Sequence, residues 1–306
     1  MKTSFYINTN DSIKLFVNRY TPEISAKKVL IIVHGMAEHS LRYEAFAEFL
    51  NKSQVVVYSY DQRGHGKTAE RIEEIGFFAE NDGIKKVTDD LDVIVNYVKN
   101  EYVNLPVILL GHSMGSFVVR NYAAIYGNSV SGIILSGTGG SAGFEGKAGF
   151  FLTKILCKIK NKKSPSKLMD KLIFGTYNKK INPQRTKFDW LSRNELEVDK
   201  YINDSFCGTV FSVGFFKDLI QLVEIVNKKN HADKIPKELP IYLFSGSNDP
   251  LSKYGKQIED VYNLYKNSGT KNITMKLYKD GRHEMLNEIN KDSVYNDIIT
   301  WIEKYS

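Results

Sequence analysis

The chain has 306 residues, 42 of them basic and 35 acidic, for a net charge of +7. A hydrophobic fraction of 42% and a charged fraction of 25% suit a folded globular chain with a sizeable core, and the mild basic surplus, with no recognisable motif beside it, excludes nucleic acid as the expected partner. Two cysteines, Cys157 and Cys207, are too few for a disulfide framework, no uncharged run approaches the ~20 residues that span a bilayer, and the first residues lack a signal-peptide run, so a cytoplasmic protein is expected.

Residues 3–8 and 13–20 are β-prone segments around Asn8-Thr-Asn-Asp11, which predicts a hairpin. Val29–Val33 is a short continuous apolar run, as in a strand covered on both faces, and it ends at His34-Gly35. A helix follows over Tyr43–Leu50. The next buried strand is Val55–Tyr60, which runs into Asp61-Gln-Arg-Gly-His-Gly66. Between Ile84 and Val103, helical spacing puts Val87, Leu91, Ile94, Val95 and Val98 on one face. Val107–Leu110 then leads into Gly111-His-Ser-Met-Gly115, with a helical pattern behind it, and Ser131–Ser136 reads as another strand.

Strand and helix alternate through this half, so the fold class is α/β with a mostly parallel sheet and helices on both faces. Such sheets bind ligands at the carboxyl ends of their strands, where 34–35, 61–66 and 111–115 all fall. The rhythm stops after Gly137 and resumes with strands at Pro240–Ser245 and Asn272–Tyr278 and a helix from Val294 to Tyr305. We therefore expect one α/β core, residues 1–140 and 230–306, with a mainly helical insertion over 141–229 above the strand ends. Residues 141–180 hold ten lysines against Glu145 and Asp170, a surplus of +8, interleaved with Phe150, Phe151, Leu152, Ile155, Leu156 and Ile159. A basic amphipathic helix of this kind can lie on an anionic membrane. The plainer alternative is a solvated lysine face on a helix whose apolar side packs on the core.

The chemistry starts from Gly111-x-Ser113-x-Gly115. A serine on a sharp strand-to-helix turn, flanked by glycines because the backbones approach closely, is a nucleophile elbow. Serine needs a base, usually a histidine oriented by a carboxylate, in the chain order Ser, acid, His. Only His231 and His283 follow Ser113. His283 lies just past the last strand, at the same sheet edge as the elbow, and is the candidate base. Asp249 leaves the strand 240–245 at that edge. Asp233 follows no strand, and Asp280 is only three residues from His283, so Asp249 is the candidate acid. The oxyanion donors are expected at the backbone N–H of Met114, after the nucleophile, and of Met36, in the loop after an earlier strand.

Five stretches carry a resemblance: His34-Gly-Met-Ala-Glu-His-Ser40 with Arg42-Tyr43, Asp61-Gln-Arg-Gly-His-Gly-Lys-Thr68, Gly111–Gly115, Ser245-Gly-Ser-Asn-Asp249 and Gly281-Arg-His-Glu284. In this order, and over almost the whole chain, the sequence resembles the α/β-hydrolase family of lysophospholipases and monoacylglycerol lipases, also called serine aminopeptidase-like hydrolases. Phe188-Asp-Trp-Leu-Ser-Arg-Asn-Glu195 resembles the cap of its bacterial members. The resemblance implies Ser113, Asp249 and His283 as catalytic triad, the Met36 and Met114 amides as oxyanion hole, and no cofactor. It implies hydrolysis of a single-acyl lipid ester under an apolar cap that includes Phe150, Phe151, Trp190, Phe206, Phe211, Phe215 and Phe216. It is weakest over 147–171. A small-ester esterase or an aminopeptidase-like hydrolase is the alternative among enzymes, and a non-catalytic lipid-binding protein is the alternative outside them. His34, His39, His65 and His112 raise a metal site, but their loops are structural in the family and no His-x₃-His helix pair accompanies them, so no metal is expected. Arg63-Gly-His-Gly66 is read as a structural turn, since no phosphate-loop pattern is present.

Overall fold

A computed structural model describes residues 1–305. The hairpin forms from β1 (Lys2–Asn8) and β2 (Lys14–Tyr20). Then β3 (Lys28–Val33), α1 (Glu44–Asn51), β4 (Val55–Tyr60), α2 (Gly83–Glu101), β5 (Val107–His112), α3 (Met114–Tyr126) and β6 (Gly132–Ser136) alternate. Five helices follow: α4 (Gly143–Ile159), α5 (Lys167–Phe174), α6 (Glu195–Asn203), α7 (Val213–Val226) and α8 (Lys229–Ala232). The core closes with β7 (Ile241–Gly246), α9 (Lys256–Asn267), β8 (Ile273–Tyr278) and α10 (Lys291–Tyr305). The eight strands form one sheet in the order β1-β2-β4-β3-β5-β6-β7-β8. The β1–β2 and β2–β4 pairs are antiparallel and the others parallel.

The central strands are buried at nearly every position because each face meets its own layer. Val29, Ile31, Val33, Val107 and Leu109 join one buried cluster with Leu91, Ile94, Val95 and Val98 of α2 and Val118, Val119 and Tyr122 of α3. Leu30, Ile32, Ile108 and Leu110 point the other way, to Phe46 and Leu50 of α1 and Ile298, Trp301 and Ile302 of α10. Side chains alternate along a strand, so each strand feeds both cores. Truncating any of these fully buried residues to Ala should cost ~2–5 kcal/mol.

Two findings refine the sequence reading. Helix α9 was not anticipated, although Ile258, Val261 and Tyr265 bury one of its faces. Its start is disguised: Lys253, Tyr254 and Gly255 all have positive φ, with no polar cap to announce the helix. In α4 the apolar residues divide. Leu156 is buried, whereas Phe144, Phe151, Ile155 and Ile159 face outward, Phe151 being 66% exposed. The 141–229 segment is tied to the loop after β4 at Ser212, whose N–H and Oγ both donate to the Gly76 carbonyl and whose Oγ caps α7 by accepting from the Phe215 N–H. Among the described residues no helix is long and apolar enough to cross a membrane.

Candidate active site

Ser113 sits between β5 and α3 with φ 50° and ψ −119°, a conformation that L-residues seldom hold. The turn is this tight because its neighbours have no room. A Cβ on Gly111 would lie 2.6 Å from the Gly115 carbonyl oxygen. One on Gly115 would fall on the backbone carbonyls of Val33 and His34. The Ser113 N–H donates to the Ser136 carbonyl at 2.9 Å, which pins the elbow to the neighbouring strand.

His283 and Asp249, 34 residues apart, meet with Nδ1 3.1 Å from Oδ2, both fully buried. Asp249 Oδ2 also accepts from Ser245 Oγ at 2.7 Å, and Oδ1 from the Leu251 N–H at 2.9 Å. Burial opposes its ionisation, but the adjacent His283 and these two donors outweigh burial and hold the carboxyl below its usual range. Burial likewise opposes charge on His283, and Asp249 reverses that, so the imidazole is pushed above its ordinary value. Its neighbour His112, with ring centres 4.8 Å apart and planes tilted by 47°, has no carboxylate in contact, and burial together with His283 lowers it to about 4. Asp233 and His231, the competing candidates, lie beside α8, where Asp233 pairs with Lys229. Asp280 takes a left-handed turn conformation after β8.

The segment Asp189–Asn194 clasps the His283 loop. The His283 N–H donates to the Trp190 carbonyl, the Glu284 N–H to that of Leu191, and the Arg282 guanidinium to the carbonyls of Asp189 and Ser192. The Trp190 ring lies 5.1 Å from the His283 ring.

A charged clamp under the site had no assigned role at the sequence level. Arg42 makes a two-pronged contact with Glu284 (2.5 and 2.7 Å) and reaches Glu38 at 3.0 Å. Glu38 in turn accepts from the Gly35 N–H at 2.5 Å and from Tyr43 Oη at 2.8 Å. Burial would raise both carboxyls, yet Arg42 keeps both below their usual range. The clamp therefore joins the loop that carries Met36 to the one that carries His283. The only advance signal was Glu38 and Arg42 four residues apart beside a buried strand end.

Ser113, His283, Met36 and Met114 all line one cavity of about 1190 Å³. The amide N–H groups of Met36 and Met114 have no hydrogen-bond partner among the described residues. The apolar wall comes from Leu152, Met169, Ile173, Phe174, Leu219, Ile220 and Val223. Most aromatics expected there lie elsewhere: Phe211, Phe215 and Phe216 are in the main core against His65 and Phe78, and Phe151 faces outward. Of the seven, only Trp190 lines the cavity.

The four early histidines disperse. His34 Nε2 accepts from the Gln62 N–H while its Nδ1 faces the Gly35 carbonyl. His65 faces the Arg63 carbonyl, His112 faces Ser136 Oγ, and His39 contacts Asp204. Arg63 itself is buried in a two-pronged contact with Asp90, and a Cβ on Gly64 or Gly66 would collide with Phe77 or Asp61, so the 61–66 stretch is a structural turn.

A family model described as "Serine aminopeptidase, S33" matches residues 24–290. The monoglyceride lipase of Rattus norvegicus is 27% identical over 94% of this chain and 86% of its own length. The monoacylglycerol lipase of Mycolicibacterium smegmatis is 25% identical over 95% of this chain and 93% of its own. Among solved structures, a thermostable carboxyl esterase from Bacillus coagulans, in complex with glycerol, superposes with a TM-score of 0.93 at 28% identity, covering 99% of this chain and 98% of that one.

Proposed function

The chain belongs to the serine aminopeptidase S33 family of α/β hydrolases, and from that membership we propose that it is a serine carboxylic-ester hydrolase of single-acyl lipids, monoacylglycerols or lysophospholipids. The observation that carries the reading is the 3.1 Å His283–Asp249 contact on the same cavity as the strained Ser113. With the Nδ1 proton held toward Asp249, Nε2 of His283 is free to act as base. Ser113 Oγ attacks the ester carbonyl and its proton passes to Nε2. The oxyanion accepts from the Met36 and Met114 amides, whose donors face no internal partner. His283 then returns the proton to the leaving alcohol, and the acyl group stays on Ser113. Water attacks the acyl-enzyme, with His283 again the base, and the fatty acid leaves.

A lipid substrate is supported by the apolar wall and by a volume at the upper end of small-molecule sites. Similarity to proteins named monoglyceride lipase supports it independently, and the similar esterase holds glycerol, the alcohol that a monoacylglycerol would release. We take residues 141–229 as the cap that closes this cavity, with 1–140 and 230–306 as core. The test is Ser113→Ala: folded variant that hydrolyses a medium-chain monoacylglycerol as fast as wild type ends the mechanism. A panel of monoacylglycerols, lysophospholipids, p-nitrophenyl esters and aminoacyl amides separates the lipase reading from a small-ester esterase or an aminopeptidase. Folded protein that a fluorophosphonate leaves unlabelled at Ser113 points to a non-catalytic lipid-binding protein.

The exposed row Phe144, Phe151, Ile155 and Ile159, beside Lys147, Lys154 and Lys158, supports docking of α4 on an anionic membrane. Sedimentation with anionic and neutral vesicles tests it; equal binding to both, or none, ends the idea.

A further inference from the structure

Behind the cavity wall, the loop after β3 meets the turn after α6. His39 Nε2 lies 2.8 Å from Asp204 Oδ2, and one ring nitrogen of His39, one carboxylate oxygen of Asp204 and Cys207 Sγ all lie within 4.8 Å of one another. We propose that His39, Asp204 and Cys207 form a site for a borderline-soft divalent cation, Zn²⁺ first among them, whose binding locks these two segments together and inhibits the enzyme.

The donors are one imidazole nitrogen, one carboxylate oxygen and one sulfur. That mixture suits Zn²⁺ or Co²⁺ and not Ca²⁺ or Mg²⁺, which take oxygen ligands. Three protein ligands leave a fourth tetrahedral position for water. The ligands are held before any ion arrives. Asp204 Oδ1 accepts from the Phe206 N–H at 2.9 Å, which leaves Oδ2 turned toward His39. The Cys207 N–H donates to the Asp204 carbonyl at 3.0 Å, and the Gly208 N–H crosses to the Ala37 carbonyl at 3.0 Å. The Phe206 ring packs edge-on to His39. His39 and Cys207 are nearly buried, and access is through the partly exposed Asp204.

The nearby guanidinium of Arg42 does not forbid a cation, because Glu38 and Glu284 both answer its charge. A cysteine is a thiol at neutral pH, so the Cys207 sulfur must give up its proton to bind an ion. On binding, the S–H proton leaves to solvent and the sulfur–metal bond forms, while the Nε2 proton that His39 donates to Asp204 is exchanged to Nδ1, which frees the Nε2 lone pair for the ion. One proton is released per ion, so affinity should fall about tenfold for each pH unit lost. The functional consequence follows from the chain: Met36 and Ala37 precede His39 by two or three residues, and Ala37 already has a positive φ. An ion that fixes His39 to the α6 turn freezes the loop that carries the proposed oxyanion donor.

The test is a Co²⁺ titration of the chelator-stripped protein, followed by Zn²⁺ competition. Wild type and Cys157→Ser should each show a thiolate-to-cobalt charge-transfer band at one ion per chain, removed by Zn²⁺. Cys207→Ser should lose the band, and Asp204→Asn should bind at least tenfold more weakly. Micromolar Zn²⁺ should slow ester hydrolysis by wild type and Cys157→Ser, and spare Cys207→Ser. No band in wild type, or equal affinity in folded Cys207→Ser, overturns the site. The inhibition arm rests on the hydrolase reading and the spectroscopic arm does not, so the two fail separately.

Discussion

Arg42→Met isolates what the buried clamp does. The substitution keeps bulk and removes the charge, leaving Glu38 and Glu284 without their shared cation in a site where all three side chains are under 10% exposed. Breaking a buried pair this way costs ~3–5 kcal/mol, since a stranded charge remains. At a few °C per kcal/mol for a chain of this size, the melting temperature should drop by roughly 6–10 °C at pH 7.5. The pH dependence gives the sharper test. In wild type both carboxyls are held low, so their contribution is present above the ordinary carboxylate value of ~4.3 and is lost as pH falls through the folded value. In the variant only burial and the remaining neutral donors act, and the carboxyls shift upward instead. Their penalty is then full at neutral pH and relieved as they protonate. The stability gap between the two proteins should therefore shrink from pH 7.5 to pH 5. Thermal melts across that range decide it: a gap that stays constant, or widens toward pH 5, refutes the account. Arg42→Lys keeps the charge but not the two-pronged fork, and should fall between. Because Arg42 itself does not line the cavity and acts by positioning two loops, kcat should fall more than KM rises.

Asp249→Asn should lower kcat/KM for a p-nitrophenyl ester by ~10³–10⁴ through loss of the His283 tautomer. The base must be neutral, so wild-type activity should rise with pH through a midpoint above 6.5, and the variant's midpoint should move down, since burial alone remains; an unmoved midpoint counts against the assigned pair. Gly115→Ala places a Cβ on the Val33 and His34 carbonyls, which are backbone and cannot step aside, so a loss of more than the ~1–3 kcal/mol of ordinary overpacking is expected by urea unfolding. Phe151→Glu with Ile155→Glu on the outer face of α4 should abolish sedimentation with anionic vesicles and leave hydrolysis of a soluble ester unchanged.

The α/β core was legible because its signals are local and strong. Val29–Val33, Val55–Tyr58 and Val107–Leu110 are apolar at consecutive positions, as a strand buried on both faces requires. Asp249 and His283 could be named because each stands just past such a strand, and the topology sends parallel strand ends to one edge. The clamp was hidden because Arg42 and Glu284 are 242 residues apart, and nothing local marks a charged side chain as buried. Phe211, Phe215 and Phe216 misled for a related reason: composition says that aromatics lie in the insertion, but not whether α7 turns them to the core or to the cavity.

Apart from α9 and the clamp, what remained illegible lies at the contact between the 141–229 segment and the strand-end loops. Trp190 and Leu191 hold the His283 loop by their carbonyls, and Gly208 holds Ala37 by its amide. These are backbone hydrogen bonds, which any residue but proline can donate and any residue can accept, so they leave no trace in residue identity. Each of the two loops is also fixed from below by the side chains of Arg42, Glu38 and Glu284. The loops that carry Met36 and His283 are thus held by the core on one side and by the inserted helices on the other. A change of geometry in the 141–229 segment would reach the edge that carries Ser113 and His283 through the backbone bonds of Trp190 and Gly208. The exposed apolar row of α4 lies in the 141–229 segment, and the His39–Asp204–Cys207 cluster bridges that segment to the loop after β3, so a membrane or a metal ion would act there on turnover without touching Ser113.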